Sequence, residues 1–469
     1  MAPRTPPFAQ VLAEVQKIHG EAGLRNASLG FALIPVAAKS PDALTGYHPD
    51  LALLPASTLK VVTTATALEL LGSDFRFETV LQHTGVIEAD GTLKGDVIIK
   101  GGGDPTLGAS EISQSFLKWQ GVLKNAGIQK VEGRIIGDAS LFGTQLRPDS
   151  WQWNDLGNYY AAGACGLTFH RNHFSCHFIT GEVGTAAQLT GTKPKLPGVT
   201  FVNEMMIGEV GSGDQGYLYA APYSTLVYLH GTLPAGGKRF TIRGALPDPA
   251  YFCARAFSHH LEKGGLEVIG EPTTIRHLQI GRKSLGTRHL LSTQYSAPLA
   301  QLIVTSNMRS NNLHAESLHR ILGAKKGEGG TTSAASKVVT AHRQGKKIDL
   351  TGFQMTDGCA LSRTNSITAR QMTLMLYHLA NSPHFETFYQ SLPIAGRPGT
   401  LRKIAQGANR EGLVHAKSGS IERVKTYCGY LGTISGERYA FTLLINIFTG
   451  EVSSVKAKIV RIWNKMVAL

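Results

Sequence analysis

The sequence predicts a mixed α/β protein whose first domain is discontinuous and combines the two ends of the chain. At 469 residues the chain is long enough for two or three domains. Both ends mix helical and strand patterns, whereas the middle, from about Val80, consists of short apolar runs broken by glycine. The simplest arrangement is a β-rich insertion within a domain of helices and strands.

The composition favours packed cores and argues against several kinds of partner. Apolar residues make up 42% of the chain and charged residues 17%, as in folded domains. The formal charge of +14 favours anionic surfaces or polymers. No zinc-finger spacing or basic stretch interleaved with aromatics indicates a nucleic-acid partner. No apolar run reaches the length of a membrane helix, so we expect at most peripheral membrane association through the amphipathic C-terminal segment.

Cysteine usage and the start of the chain leave the compartment open. Five cysteines are scattered without a CxxC pair, and their odd number leaves at least one unpaired. The opening MAPRTPPFAQVL lacks the apolar core of a signal peptide. The chain is therefore either a cytoplasmic protein or the mature part of an exported one, and its oligomeric state stays open.

The first elements lead into an apolar helix. Residues 8–18 are predicted to form an amphipathic helix, and Ala27–Val36 and Thr45–Leu54 alternate as a pair of strands should. A helix is then predicted to begin near Ala56 and to end at Gly72, with helical spacing of its apolar residues and one buried face.

The later elements follow the change in texture. The insertion contains one helix, and Asp90-Gly91 indicates a hairpin. Helical patterns return after residue 295, and the chain closes with two strands and a helix. The predicted elements are helices at Glu111–Ala126, Ala250–Lys263, within Ser296–Leu322, at Thr368–Ala380 and from about Ser453, and strands at Tyr427–Ile434 and Tyr439–Phe448.

The apolar helix carries the pattern Ser57-x-x-Lys60 at its start. Residues three apart on a helix lie on the same side, so the Lys60 amine can reach the Ser57 hydroxyl. Apolar surroundings lower the pKa of an amine, and a neutral lysine beside a serine can activate it as a nucleophile without histidine. The pattern alone is weak, because Ser115 and Ser453 begin equally good matches and an ordinary helix-start serine is common.

Two further motifs make the pattern specific. Ser310-x-Asn312 is the only Ser-x-Asn in the chain, and Lys417-Ser418-Gly419 is its only Lys-Ser/Thr-Gly. Each alone reads as a helix cap or as a strand that ends in a turn. Together, in this order, they match the signature of serine acyl transferases that recognise penicillin. Such chemistry needs a nucleophile, a base, a proton route to the leaving amine and a cation for a substrate carboxylate.

With these motifs, the chain resembles the class C low-molecular-weight penicillin-binding proteins, the D-alanyl-D-alanine carboxypeptidase/endopeptidases of bacterial cell walls. The resemblance covers nearly the whole length and includes further segments: KGDVIIKGGGDPTL (94–107), DSWQWNDLGNYYAAGACGLTFHRN (149–172), GALPDP (244–249), TDGCALSRTN (356–365) and LPIAGRPGTLR (392–402). The glycines of the GGGDPT segment are turn formers, since no Gly-Lys-Ser/Thr follows them as in a phosphate-binding loop.

The resemblance implies a penicillin-recognising, transpeptidase-like catalytic domain, in which an antiparallel sheet is flanked by helices, with two β-rich inserted domains. The catalytic domain would comprise residues 1–80 and 285–469. The first inserted domain would comprise residues 81–168 and 245–284, and the second residues 169–244.

The resemblance also implies residue roles at the reaction centre. Ser57 would be the nucleophile and Lys60 its base. Ser310 and Asn312 would border the cleft, with Asn312 orienting the lysine and the substrate amide. The substrate's terminal carboxylate would bind to the third motif, Lys417-Ser418-Gly419. The oxyanion hole would be formed by the backbone N–H groups of Ser57 and Ser420.

Specificity for the stem peptide is implied by residues outside the three motifs. Asp155 and Arg363 match positions that read the distal end of diaminopimelate, with Tyr160 as a wall; the alternative is that Asp155 and Arg363 are surface or loop anchors. Glu422 stands where some relatives have glutamine. Its carboxylate would repel that of diaminopimelate unless Arg363 compensates.

The sequence therefore predicts an exported, periplasmic or envelope-located DD-peptidase. It would hydrolyse D-Ala-D-Ala termini of peptidoglycan stem peptides and D-Ala-diaminopimelate crosslinks, and β-lactams would inhibit it covalently. No cofactor and no metal is expected, because the histidines form no HExxH or other ligand spacing. The alternatives are a β-lactamase or D-amino-acid esterase/amidase of the same superfamily, and a non-catalytic module that binds β-lactams or the wall.

Overall fold

A computed structural model describes residues 7–109, 111–237, 239–404 and 412–469. Residues 1–6, and positions 110, 238 and 405–411 of the predicted domains, lie outside the described residues. The described helices are α1 Pro7–His19, α2 Leu59–Leu71, α3 Ile112–Asn125, α4 Trp153–Leu156, α5 Pro249–Lys263, α6 Ile275–Ile280, α7 Leu299–Met308, α8 Asn312–Lys326, α9 Thr332–Gly345, α10 Ala369–Ala380, α11 Phe385–Ser391 and α12 Val452–Val467.

Strands occupy much of the remainder, and most of them lie in the middle of the chain. They are β1 Ser28–Pro35, β2 Thr45–Tyr47, β3 Glu78–His83, β4 Val86–Ile87, β5 Thr92–Lys94, β6 Val97–Lys100, β7 Lys130–Asp138, β8 His173–Ile179, β9 Gln188–Lys193, β10 Thr200–Gly208, β11 Gln215–Tyr219, β12 Leu226–Pro234, β13 Phe240–Ala245, β14 Glu267–Thr274, β15 His289–Tyr295, β16 Val414–Ile421, β17 Val424–Gly432 and β18 Arg438–Asn446.

The chain divides into two compact units. The first comprises Met1–Phe75, Pro298–Gly327 and Thr332–Leu469, and the second comprises Arg76–Ala297 with Glu328–Thr331. The first unit is thus discontinuous in sequence. The finer division into three domains with the boundaries given above stays a prediction.

The first unit is built on an antiparallel sheet with the strand order β16-β17-β18-β1-β2. The three central strands are buried on both faces, because helices cover each side. On one face, α1 and α12 pack against alternate strand residues such as Phe31 and Tyr427, around the buried Trp463. On the other, α10 donates Thr373 Oγ1 to Thr442 Oγ1 at 2.8 Å. The predicted class, an antiparallel sheet flanked by helices, is confirmed.

The apolar helix α2 differs from its prediction. Its residues from Leu59 to Leu68 are all buried, so the helix is enclosed on every side instead of on one face. The reason is its central place in the first unit, where it packs against α7, α8 and α9. Polar residues of α2 are therefore buried as well, and Lys60 is the longest of them.

The second predicted strand is shorter than expected. Only Thr45–Tyr47 pairs with β1, and beyond it the backbone is irregular. Leu54 is held by the Asn446 side chain, which accepts from its N–H at 2.8 Å and donates to its carbonyl at 3.1 Å. Together with the bridge between Leu53 and Ile367, this pair of bonds holds the chain on the approach to Ser57.

The second unit is rich in strands, as predicted. Its larger sheet has the order β15-β3-β6-β7-β5-β4, with β14 also paired to β7, and α3 and α5 pack on it. The predicted turn at Asp90-Gly91 joins β4 and β5 as a hairpin. Two three-stranded sheets, β10-β12-β11 and β13-β8-β9, share a separate core that includes Phe174 and Leu229.

The amphipathic C-terminal segment forms α12, and its apolar face is buried in the core of the first unit. Among the described residues, no helix combines the length and apolar character that a membrane span requires.

Candidate active site

Ser57 lies in a short 3₁₀ turn, Ala56–Thr58, that leads directly into α2. Two hydroxyls fix this turn, because Thr58 Oγ1 and Thr426 Oγ1 each donate to the Pro55 carbonyl at 2.6 Å. Ala56 has a φ of 44°, a left-handed conformation that is unusual for alanine. Strained backbone of this kind persists only when its surroundings hold it, as they do here. The Ser57 side chain is partly exposed.

Lys60 meets the serine as the motif predicts. Its Nζ lies 2.9 Å from Ser57 Oγ and donates to the Cys359 carbonyl at 2.7 Å. Its side chain is fully buried. Burial lowers the pKa of the Lys60 amine, an effect that the Asp357 and Glu316 carboxylates oppose. A lowered amine pKa favours the neutral form that can accept a proton from serine.

The second and third motifs meet in space. Ser310 occupies the turn between α7 and α8 with a φ of 54°, and Lys417 Nζ donates to its Oγ at 2.9 Å. Lys417 Nζ also donates to the Ser418 carbonyl at 2.5 Å. Burial lowers the pKa of Lys417 well below its usual range, and the charge of Lys60 lowers it further. Four of the five motif side chains therefore form two hydrogen-bonded pairs.

Asn312 is the first residue of α8 and follows the helix cap directly. The cap is Asn311, whose side chain accepts from the His314 N–H at 3.1 Å. The sequence interpretation of this segment as a helix start is confirmed, and the middle asparagine performs the capping. The cap fixes the direction in which α8 leaves the Ser310 turn.

The third motif lies on β16, beside Ser57. A β-carbon added to Gly419 would lie 2.9 Å from Ser57 N and 2.8 Å from the Pro55 carbonyl, so only glycine fits this approach. The Ala416 N–H donates to the Pro393 carbonyl, away from β17. Because N–H groups alternate sides along a strand, those of Ser418 and Ser420 point in that same direction.

Arg363 and Glu422 form an ion pair in the first unit, with 3.6 Å between Nη2 and Oε2. Glu422 lies in the turn between β16 and β17, and its side chain is 75% exposed. Arg363 therefore contacts Glu422, as the sequence interpretation requires if the guanidinium is to compensate the charge of this carboxylate.

Asp155 and Tyr160 belong to the second unit. Asp155 lies on α4 and Tyr160 in the 3₁₀ turn Tyr159–Ala161, and the Tyr160 hydroxyl donates to Asp155 Oδ1 at 3.0 Å. Burial, reinforced by the Asp155 carboxylate, raises the pKa of Tyr160. Their role in reading the stem peptide stays a prediction.

Sequence reasoning missed the buried group behind Lys60. Carboxylate and thiol atoms of Glu316, Asp357 and Cys359 lie within 4.8 Å of one another. Such a trio could hold a cation, but the Asp357 oxygens already accept from Ala360 N, Ser362 N and Asn365 Nδ2, and Glu316 Oε1 accepts from Gly358 N. These bonds commit both oxygens of Asp357 and one oxygen of Glu316 to the protein's own N–H groups. The TDGCALSRTN segment contains Asp357 and Cys359, but its sequence pattern points to Arg363 and not to a group behind Lys60.

Similarity to known proteins agrees with this geometry. The model of the D-Ala-D-Ala carboxypeptidase 3 (S13) family matches residues 11–466. The chain is 28% identical to the D-alanyl-D-alanine carboxypeptidase of Actinomadura sp. (strain R39) over 410 residues. This alignment covers 85% of this chain and 74% of that one. It is 26% identical over 430 residues to the D-alanyl-D-alanine carboxypeptidase DacB of Haemophilus influenzae, over 88% of this chain and 84% of that one.

Solved structures share the fold. Penicillin binding protein 4 (dacB) from Haemophilus influenzae superposes with a TM-score of 0.82 at 23% identity, over 97% of this chain and 99% of that one. A complex of that protein with a β-lactam superposes with a TM-score of 0.73 at 21% identity, over 97% of this chain and 98% of that one. Together with the match over nearly its whole length, the serine–lysine geometry leads to one assignment: the chain belongs to the D-Ala-D-Ala carboxypeptidase 3 (S13) family and is a serine-type D-Ala-D-Ala carboxypeptidase.

Proposed function

We propose that Ser57 is the nucleophile of a two-step acyl transfer and that neutral Lys60 is its base. Ser57 Oγ adds to the carbonyl carbon of the penultimate D-Ala while its proton passes to Lys60 Nζ. The C–N bond then breaks, the departing D-Ala amine takes up a proton, and water hydrolyses the serine ester. The 2.9 Å contact between Lys60 Nζ and Ser57 Oγ carries this proposal, since it is within the reach that proton transfer requires.

The terminal carboxylate of the substrate would bind at Lys417 and Ser418. Both lysines are buried and each disfavours charge on the other. An arriving carboxylate favours a proton on Lys417, and a proton there leaves Lys60 neutral for catalysis. Ser310, hydrogen-bonded to Lys417, supplies a proton route to the leaving amine, and Asn312 orients the substrate amide.

The oxyanion hole would consist of the N–H groups of Ser57 and Ser420. Two observations support it: the Gly419 backbone passes next to Ser57 N, and the Ser420 N–H points away from β17. A substrate backbone that lies along this side of β16 would extend the sheet, a common mode of peptide recognition.

The natural substrates would be peptidoglycan stem peptides, and D-Ala-diaminopimelate crosslinks would be cut by the same chemistry. Arg363 would read the diaminopimelate end, and the roles of Asp155 and Tyr160 in reading it stay predictions. A substrate in the cell wall implies that the protein works in the periplasm or envelope. A β-lactam would acylate Ser57, as expected from the related protein whose structure was solved in complex with one.

The test is mass spectrometry of the intact protein after penicillin exposure, with the adduct mapped to a residue. We expect one adduct on Ser57, none in Ser57→Ala, and release of D-alanine from a D-Ala-D-Ala peptide with slow penicillin turnover. Ser115→Ala is the matched control, since Ser115 begins a second Ser-x-x-Lys pattern on α3. Fast penicillin turnover would instead indicate a β-lactamase, and acylation without peptide turnover a sensor.

A further inference from the structure

A backbone turn at residues 357–360 provides the second partner of Lys60. Two consecutive carbonyls of this turn face α2: Gly358 O accepts from Thr63 Oγ1 at 2.7 Å and Cys359 O accepts from Lys60 Nζ at 2.7 Å. Thr63 follows Lys60 by three residues, so both donors lie on one side of the helix. The direction of the Lys60 amine therefore depends on how this turn is held.

Asp357 holds the turn from inside. Its side chain is fully buried, and Oδ1 accepts from the Ala360 N–H at 2.6 Å, while Oδ2 accepts from the Ser362 N–H at 2.6 Å. Asn365 Nδ2 adds a third bond to Oδ1 at 2.9 Å. The bond to Ala360 holds a residue with a φ of 62°, which alanine rarely adopts. The carboxylate thus fixes a conformation that the backbone alone disfavours.

Glu316 holds the turn from α8. It is 1% exposed, and Oε1 accepts from the Gly358 N–H at 2.7 Å. The turn is pressed onto α8, since a β-carbon on Gly358 would lie 2.8 Å from the Ala315 carbonyl and would collide with His319. Glu316 therefore connects the helix that begins after Ser310 with the turn that contacts Lys60.

We propose that Glu316 and Asp357 are a pair of positioning residues that aim the Cys359 carbonyl at the Lys60 amine. Removal of either releases the turn and lets the Lys60 amine drift from Ser57 Oγ. The proposal rests on the proposed function, in which Lys60 is the base. It adds to that function two residues outside the three motifs, and it links α8 to α2 through one backbone turn.

The pair also affects the charge on Lys60. Burial, with the Asp357 carboxylate, raises the pKa of Glu316 to about 7. The groups that face Glu316 are Asp357 and Cys359 on the turn, Lys60 on α2 and Arg320 on α8. An ionised Glu316 favours the protonated lysine. Replacement of this carboxylate by an amide therefore lowers the pKa of Lys60 and makes the base available at lower pH.

The experiment follows acylation by a fluorescent penicillin between pH 5 and 9, and separates the reversible binding constant from the acylation rate constant. Glu316→Leu, which cannot accept from Gly358 N–H, should reduce the acylation rate constant roughly tenfold or more at nearly unchanged binding. Glu316→Gln keeps the acceptor. It should acylate within about threefold of the wild type, with the acid limb of its pH profile displaced to lower pH.

The control is Glu69→Gln on α2, which removes a buried carboxylate that does not contact this turn. It shows how far a general loss of stability alone changes acylation. Wild-type acylation by Glu316→Leu would overturn the proposal, and so would a loss in Glu316→Gln as large as that in Glu316→Leu, since Glu316→Gln keeps the acceptor for the Gly358 N–H. If Glu316→Leu does not fold, Asp357→Asn decides, because it replaces one of the two oxygens that accept from the Ala360 and Ser362 N–H groups by a donor; wild-type acylation by Asp357→Asn would overturn the proposal. A wild-type adduct on a residue other than Ser57 would refute the proposed function instead, which separates the two failures.

Discussion

Lys417 Nζ lies 2.9 Å from Ser310 Oγ, so the second and third motifs form one hydrogen-bonded unit although 107 positions separate them. The lysine arrives on β16 and the serine on the turn between α7 and α8. Both lysines of the site are buried. A buried cation is stable only beside a partner. In the free enzyme, Lys417 contacts neutral oxygen atoms of Ser310 and Ser418.

Lys417→Gln should therefore impair substrates according to their terminal carboxylate. A charge-assisted hydrogen bond contributes about 1.5–3 kcal/mol, so we expect kcat/KM on a D-Ala-D-Ala peptide to fall roughly 10- to 150-fold. The same peptide with an amidated C-terminus should change much less. Lys425→Gln is the control, because Lys425 is another buried lysine of the same sheet. Equal losses on both peptides would contradict carboxylate binding by Lys417.

Gly419→Ala should separate β16 from the nucleophile. The added methyl group has no room between the Ser57 N–H, the Pro55 carbonyl and the Thr426 hydroxyl, so the strand or the Ser57 turn must shift. A shift of about 1 Å can reduce a rate about 100-fold. We expect that loss in penicillin acylation, measured by stopped-flow fluorescence.

The control for this substitution is Gly121→Ala in α3, where a β-carbon would meet no atom within 4 Å. Alanine favours a helix over glycine by up to about 1 kcal/mol, so Gly121→Ala should be slightly stabilising and should acylate normally. Normal acylation by Gly419→Ala as well would show that the close approach of β16 to Ser57 is unimportant.

Glu69 should make the first unit sensitive to acid. Its carboxylate on α2 contacts His342, Arg343 and Lys346 at 2.9, 2.8 and 3.3 Å. Burial alone would raise the pKa of Glu69, but the His342 hydrogen bond and the two cations outweigh it and hold the pKa at about 2. The pKa is thus depressed on folding. The stabilisation is present above the unfolded value of 4.5 and is lost as the pH falls towards 2.

The size of this effect follows from the shift and amounts to about 3 kcal/mol in the free energy of unfolding. We expect Glu69→Gln to be destabilised relative to the wild type at pH 7, and the difference to narrow at pH 3, in denaturant unfolding monitored by fluorescence. A difference that stays constant between these pH values would show that the carboxylate's charge contributes nothing.

The sequence predicted the fold class and the meeting of the motifs because both depend on local patterns. The first and last segments alternate as strands do, and two of the three motifs, Ser310-x-Asn312 and Lys417-Ser418-Gly419, each occur once in the chain. The sequence did not predict that α2 is buried on all sides. Its apolar residues are enough for one buried face, and threonines occupy the other sides. The second partner of Lys60 was missed because it is the backbone carbonyl of Cys359, which no residue type specifies.

The elements α9, α11 and β15 were not predicted either. Their helical or alternating patterns are short or polar, and packing within each unit stabilises them. Glu316 illustrates the same limit at the site. On the sequence it is one glutamate in a helix, and only the fold brings it to the Gly358 N–H.

Glu422 should restrict the stem peptides that the enzyme accepts. The Glu422 carboxylate forms an ion pair with the Arg363 guanidinium at 3.6 Å. It therefore repels a diaminopimelate carboxylate that would bind the same guanidinium. Glu422→Gln frees Arg363 and should raise kcat/KM for a stem peptide with a free diaminopimelate carboxylate. Because Glu422 is largely exposed, solvent screens its charge and the gain should be modest, roughly three- to tenfold.

The amidated form of the same peptide provides the comparison, since it has no carboxylate for Arg363 to bind. Its kcat/KM should change little in Glu422→Gln, and Arg363→Gln should remove the preference between the two peptides. Both are measured by D-alanine release at two ionic strengths, because an effect of exposed charges weakens with salt. Equal changes on the two peptides would mean that Arg363 and Glu422 anchor the loop and the turn to each other and do not read the substrate.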